Sequence, residues 1–272
     1  MVLKRSDREA NASEFISAWD LRQQQRFKFG LPSLDKLIGD GVPAGCLALI
    51  QGELPRSVLR SLITKLTVGL LLVNSKFNIA FVDGANLFPY YEISIEVRKR
   101  GYDPLAILDR IQLARAFNFH QITEVLINNL PRLIRNNHAI RIIMVPQISS
   151  HYFSKEALQY LQYDNLSVEA SSLLELTQSV GILKSLVLQY NLLGIMTASS
   201  APHSCHKPLG GTYLAHSACP IIRAEVTPNS TREDYSLIFT LQKDLSKPAM
   251  QVSLPNELKK QKKQHIPLTR FW

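Results

Sequence analysis

Residues 52–59 read Gly52-Glu53-Leu54-Pro55-Arg56-Ser57-Val58-Leu59 and follow a short apolar run, Cys46 to Gln51. A phosphate-binding loop occupies such a place, and its working pattern is G-x-x-x-x-G-K-[ST]. In that pattern the glycines bring backbone N–H groups onto the phosphates. The lysine pairs with the terminal phosphates, and the hydroxyl ligates Mg²⁺. Here Gly52 and Glu53 open the loop, but Ser57 stands for the second glycine, Val58 for the lysine and Leu59 for the hydroxyl. Such a chain is expected to keep a nucleotide-binding architecture and lose its chemistry. Val58 and Leu59 join Leu62, Ile63 and Leu66 at helical spacing, which predicts a helix N-terminus under apolar cover in place of anion ligands.

The other residue types capable of chemistry give less. Cys46, Cys205 and Cys219 are odd in number and show no C-x-x-C spacing, which points to a reducing compartment without a disulfide framework or zinc site. His203, Cys205 and His206 crowd one segment, but no fourth ligand lies near enough to close a tetrahedral site. A polar loop is the expectation there, and no metal. The net charge of +9 permits nucleic-acid binding, and part of it sits in Lys259, Lys260, Lys262 and Lys263 with Arg270 beyond. A solvated tail and a phosphate-contacting tail are both open at this point.

These residues need a scaffold, and composition supplies one. With 46% hydrophobic and 19% charged residues, 272 residues suit one sizeable α/β domain with tails. The most apolar run, Leu66 to Val73, is far short of the roughly 20 residues of a membrane span, so no membrane partner is expected. Met1 to Ala10 is charged with no apolar stretch after it, so no signal peptide is expected and a cytoplasmic location is.

Residues 1–25 read as a linker or arm with an apolar cluster at Phe15, Ile16 and Trp19. A short helix carrying Leu34, Leu37 and Ile38 follows between glycine-rich turns. Then apolar runs alternate with amphipathic ones: strands at 46–51, 78–83, 111–114, 140–145 and 192–197, and helices at 57–73, 91–100, 120–135 and 166–190. That alternation predicts a mostly parallel, twisted sheet with helices on both faces. Runs at 220–226 and 235–242 across a polar turn predict a C-terminal antiparallel hairpin finishing the sheet. The core is therefore 26–256, with a basic tail at 257–272.

Several segments together resemble the RecA/RadA recombinase family in its archaeal and eukaryotic branch. Phe29-Gly30-Leu31-Pro32-Ser33-Leu34-Asp35-Lys36-Leu37-Ile38-Gly39-Asp40-Gly41-Val42-Pro43-Ala44-Gly45 is similar to the family's T-G-x-x-x-L-D-x-L-L-G-G-G-I-x-x-G segment. Phe81-Val82-Asp83-Gly84-Ala85-Asn86-Leu87-Phe88 resembles its Y-I-D-T-E-G-T-F strand end. Leu113-Ala114-Arg115-Ala116-Phe117-Asn118 with His120-Gln121 resembles A-R-A-Y/F-N…H-Q, and Lys207-Pro208-Leu209-Gly210-Gly211 with Leu214-Ala215-His216-Ser217 resembles K-P-x-G-G…x-A-H-x-S. Order and spacing extend the match over about residues 26–250. The resemblance implies a RecA-like core.

It also implies where function has gone. Besides Val58 and Leu59, the water-polarising glutamate falls on Ala85 and the Walker B aspartate on Pro146, while Ala198 and Ser199 replace the polar pair after Thr197. Phosphoryl transfer works by positioning and electrostatic stabilisation through these groups. Their joint loss implies no ATPase activity and weak or absent binding of ATP and Mg²⁺. Arg56 and Arg60 are read as helix-surface residues. The family's F-x-x-A assembly phenylalanine falls on Glu9, which argues against self-polymerisation, since a charge fills an apolar pocket only at a large desolvation cost. Only about 25 residues precede the core, so the branch's helix-hairpin-helix domain is expected to be missing.

Of the two DNA-facing loops of the family, the first falls near 149–165, where Lys155 is offset by Glu156, and Glu169 stands near the position where the resemblance places the family's loop arginine. The second, Ser199 to Lys207, is short, with His203, His206 and Lys207 as candidate contacts. Arg223 and the C-terminal lysines complete the candidate DNA-binding set. Asp244 and Pro248 resemble a segment that caps a neighbour's nucleotide, which leaves room for a role in trans. The reading that results is a non-catalytic recombinase paralogue of homologous recombination and DNA repair, nucleoid-associated or nuclear. Its expected partners are a recombinase or another paralogue and DNA, single-stranded first. The alternatives are a divergent NTPase in which Arg56 replaces the lysine, and a RecA-fold scaffold outside DNA metabolism.

Overall fold

The structure, a computed structural model, describes residues 25–154, 168–201, 204–228, 235–244 and 247–254. The N-terminal cluster at Phe15, most of the first DNA-facing loop, His203 and the lysines of the C-terminal tail lie outside the described residues.

Arg26–Phe27 (β1) pairs antiparallel with Val42–Pro43 (β2), and the helix Pro32–Ile38 (α1) lies between them. Then come Cys46–Gln51 (β3), Arg56–Val73 (α2), Asn78–Asp83 (β4), Tyr90–Lys99 (α3), Pro104–Leu108 (α4) and Ile111–Arg115 (β5). The next helix runs in three parts, Phe119–Glu124, the wider π turn Val125–Asn129 and Leu130–Asn136 (α5). Asn118 caps its start by accepting from the Gln121 N–H at 2.9 Å. Pro131 has no N–H to donate into the turn before it, and the bonding there shifts to the i→i+5 pattern, with Leu130 N–H reaching the Val125 carbonyl. The chain continues through Ile140–Val145 (β6), Val168–Gln189 (α6), Leu193–Ala198 (β7), Ser200–Ala201 (β8), Ser204–Pro208 (β9) and Gly211–Ser217 (α7). Ile221–Pro228 (β10), Tyr235–Lys243 (β11) and Met250–Leu254 (β12) complete it.

The main sheet has eight strands in the order β12-β11-β10-β3-β7-β6-β4-β5. Strands from β10 to β5 pair parallel, while β11 and β12 pair antiparallel at the other end. The expected strands at 46–51, 78–83 and 140–145 are β3, β4 and β6, continuous apolar runs because helices cover both faces. Side chains alternate between two cores. Ala48 and Ile50 of β3 join α1, α2 and α3 on one face, while Leu47 and Leu49 join α5, α6 and α7 on the other.

Four features go beyond the expected scheme. The terminal hairpin carries a third strand, β12. The helices α4 and α7 are too short to show a period. The second loop, expected as plain polar chain, contains the paired strands β8 and β9. Two glycines fix the seating of α2: Gly30, at φ 70°, lies against the backbone of Gly69, and a Cβ on either would run into the other segment's main chain. At the far end of α2, the Arg110 guanidinium donates to the Leu71 carbonyl at 3.0 Å and the Asn74 carbonyl at 2.7 Å, closing orphan acceptors of the helix terminus.

Candidate functional site

The loop Gly52 to Pro55 follows β3, beside the C-terminal end of β7 and against Ala224 in the middle of β10. Gly52 donates its N–H to the Ala198 carbonyl at 3.1 Å, and it lies so close to the Ala224 carbonyl that any Cβ would collide. α2 then begins at Arg56 with no side-chain cap. Val58 and Leu59 turn inward, 1% and 5% exposed, and pack in the same cluster as Leu62, Ile63 and Leu66, as the spacing predicted. Ser57 is exposed.

Arg56 and Arg60 are engaged within the protein. The Arg56 guanidinium donates to the carbonyls of Asn86 at 2.6 Å and Ala85 at 3.2 Å. Arg60 forms a forked pair with the Glu92 carboxylate, 2.8 and 2.9 Å from its two oxygens. Asp83, 1% exposed at the end of β4, accepts from the N–H groups of Leu87 at 2.7 Å and Phe88 at 2.9 Å. The turn 84–88, which carries Ala85 and the left-handed Asn86 (φ 52°), is thus held from both sides. Pro146 is buried after β6, and the next residue, Gln147, is stitched to β7 by donating its N–H to Thr197 Oγ1 at 2.9 Å. Neither Ala85 nor Pro146 offers a side-chain oxygen to a metal or a water.

The segment after β7 lies over the other flank of the loop. The Glu53 carboxylate accepts the Ser200 N–H at 2.9 Å, and Gln51 Nε2 donates to the His206 carbonyl at 3.0 Å and to Gln242 Oε1 at 2.7 Å. Arg223 reaches His206 Nδ1 at 3.1 Å and Glu225 at 3.0 Å. The β8–β9 hairpin is therefore latched to the loop and to the sheet by side chains of the chain itself. Between them lies a cavity of about 360 Å³ lined by Glu53, Ser200, Ser204, Arg223 and Glu225 among others.

Of the candidate DNA contacts, the structure brings His206 and Arg223 together and leaves Lys207 exposed beside them. His203 and the tail lysines Lys259, Lys260, Lys262 and Lys263 fall outside the described residues. No group of three or more metal-capable side chains occurs among the described residues. Neither Cys46 nor Cys219 is in a disulfide, and burial, with Cys219 adding, pushes the Cys46 thiol up to about 11, far from a ready thiolate. Sequence reasoning missed Gln51, Asp83 and Glu225. Gln51 carried a signal, a long polar side chain ending a wholly apolar strand.

A mostly parallel sheet with helices on both faces, a helix starting directly after its central strand and a loop from the neighbouring strand folded over that junction make a RecA-like α/β core. The Rad51 family model matches residues 22–227, and the chain belongs to that family. It is also 27% identical over 153 residues to the DNA repair and recombination protein RadA of Aeropyrum pernix, a match that covers 53% of this chain and 47% of the relative. The chain thus spans about half the length of that curated relative. No helix among the described residues is long and apolar enough to cross a membrane.

Proposed function

We propose that this chain is a non-catalytic member of the Rad51 family that acts in homologous recombination and DNA repair, binding single-stranded DNA and a recombinase or another paralogue to modulate filament assembly. The observation that carries the reading is the fate of Arg56, Val58 and Leu59. The cation nearest the loop is bonded to the Ala85 and Asn86 carbonyls, and the lysine and hydroxyl positions are filled by buried apolar groups. Those residues do not fit ATP or Mg²⁺, and ATP hydrolysis has no general base or metal-side carboxylate at Ala85 and Pro146 to rely on.

The latch through Glu53 and Gln51 supports the same reading. In a nucleotide-driven member of the fold, ligand at the loop governs the segment after β7. Here two side chains of the chain itself hold that segment, so its DNA-facing state is fixed and not timed by hydrolysis. The other end of the sheet supports the partner half of the reading. Among the described residues the outer edge of β5 has no strand beside it, Leu113 is 40% and Phe117 69% exposed, and an apolar cleft of about 130 Å³ opens between β4, β5 and α5. An extended apolar segment of a recombinase suits such an edge.

The deciding experiment titrates the purified chain with Mg-ATP and with labelled single-stranded DNA at several salt concentrations, alongside capture of a purified Rad51-family recombinase after nuclease treatment. The expected outcome is no saturable nucleotide binding, DNA binding that weakens steeply with salt, and recombinase capture lost in Leu113→Lys. Tight Mg-dependent ATP binding reduced by Arg56→Ala establishes the divergent NTPase instead. Neither DNA nor recombinase binding leaves the scaffold reading.

A further inference from the structure

The helix α6 is apolar almost all round. Its 22 residues carry charge only at Glu169, Glu175 and Lys184. Leu176, Val180, Leu183 and Val187 are buried in the core beneath it. On the outer side Leu174, Gly181 and Leu188 recur every seven residues with Thr177 and Lys184 between them, the spacing of a seam that packs a second helix. Leu174 is 52% and Leu188 55% exposed, and Leu173 and Tyr213 of α7 are exposed as well. Among the described residues a Cβ on Gly181 would meet only the Tyr213 hydroxyl, at 3.4 Å, so the seam has an open notch at its middle. A helix apolar on every side is a buried one, and α6 lacks its outer cover among the described residues.

What can supply that cover is set by where the described chain begins. Gln25 accepts the Ala44 N–H through its carbonyl at 2.7 Å, and Gly45 donates to the Leu192 carbonyl at 2.7 Å. A Cβ on Gly45 would lie 3.8 Å from Leu188 Cδ2, so Gln25 enters the core beside the C-terminal end of the seam. Residues 1–24 precede it. Within them Ala12, Phe15, Ile16 and Trp19 stand at i, i+3, i+4 and i+7, with Ser13, Glu14 and Ser17 between them, the pattern of a helix with one apolar face. Residues 20–24 join this pattern to Gln25 and reach up to about 17 Å when extended. The seam from Leu188 to Gly181 is about 10 Å long, which lies within that reach.

We propose that residues 12–19 dock as a short amphipathic helix along the α6 seam of the same molecule, with Trp19 beside Leu188 and with Phe15 and Ile16 toward the notch at Gly181. The short tether makes the contact intramolecular, at an effective concentration of about millimolar, which favours the chain's own arm over that of a second copy. Docked in this way, the arm closes the seam to helices of other proteins. The contact requires neither nucleotide nor DNA, so it stands or falls apart from the function proposed above.

The test uses the full chain, whose two tryptophans are Trp19 and Trp272, so Trp272→Phe leaves Trp19 as the single reporter. Its emission and its quenching by iodide are recorded. The expected result is blue-shifted emission shielded from iodide, both unchanged over about a hundredfold dilution. Leu174→Glu and Leu188→Glu each shift the emission to the red and remove the shielding while unfolding stays cooperative. Ile16→Asp, on the arm's side of the contact, does the same. Leu188→Ala, a milder change, moves both readings in the same direction and serves where a glutamate variant unfolds. Leu105→Glu, at an exposed leucine of α4, leaves them unmoved. Emission and quenching of a fully solvated indole in the parent overturn the proposal. Shielding that survives the α6 variants places the arm elsewhere and overturns it too. Shielding lost on dilution makes a second copy the occupant and overturns the intramolecular contact.

Discussion

Two polar regions flank Gly52 and are built in opposite ways. Toward α2, the charged groups have partners inside the protein: Arg56 holds the Ala85 and Asn86 carbonyls, Arg60 holds Glu92, and Asp83 holds two buried N–H groups. Toward the hairpin, Gln51 and Arg223 hold His206, yet Gln51, Arg223 and Thr240 each keep one buried atom without a partner among the described residues. A polar group whose partners are all internal is part of the scaffold, and removing it lowers stability. A buried polar atom without a partner adds nothing to the scaffold, and replacing its group by an apolar one of the same shape is close to neutral. The α2 flank has all its named charges paired, while the hairpin flank combines completed bonds with unsatisfied atoms.

Substitutions test that division directly. The largest effect is expected from Val58→Lys, which restores the lysine of a phosphate loop but puts an ammonium into a site 1% exposed. Urea unfolding should register a loss on the order of 4 kcal/mol with no gain of ATP binding. A variant that is as stable as the parent and takes up Mg-ATP breaks the comparison. Next, Asp83→Ala strands the Leu87 and Phe88 N–H groups and should lose about 2–4 kcal/mol, while Asp83→Asn recovers part of it. Gly52→Ala forces its Cβ into the Ala224 carbonyl and should cost about 1–3 kcal/mol, a value that thermal denaturation reads. On the opposite flank, Thr240→Val should change stability by no more than about 0.5 kcal/mol, because the hydroxyl it removes has no partner among the described residues. A Thr240→Val loss as large as that of Asp83→Ala would show that this hydroxyl is part of the scaffold after all.

Much of this was legible beforehand, for identifiable reasons. The strands at 46–51, 78–83 and 140–145 were read to the residue, because strands buried on both faces are uninterrupted apolar runs that turn residues bound sharply. Val58 and Leu59 were correctly read as inward-facing, since helical spacing alone sets their face. The β8–β9 hairpin was not legible: two short strands in a polar segment have no period, and they are held by Glu53, Gln51 and Arg223, which lie 147, 155 and 17 residues away along the chain from their partners. Arg56 was read as a helix-surface residue. It is exposed, as expected, but it also clamps a turn 29 and 30 residues downstream, a contact no local pattern announces.

The sequence by itself determined the α/β class, the family-like order of segments and the replacement of the loop's chemical groups, because residue type and local period are written along the chain. Only the tertiary structure decided what became of the polar groups that remain. Whether an arginine or a glutamine is satisfied depends on carbonyls and carboxylates from distant strands, and those distances exist only once the sheet has closed. Gly52 stands at that boundary, with paired charges on one side and, on the other, a hairpin held by residues far away along the chain.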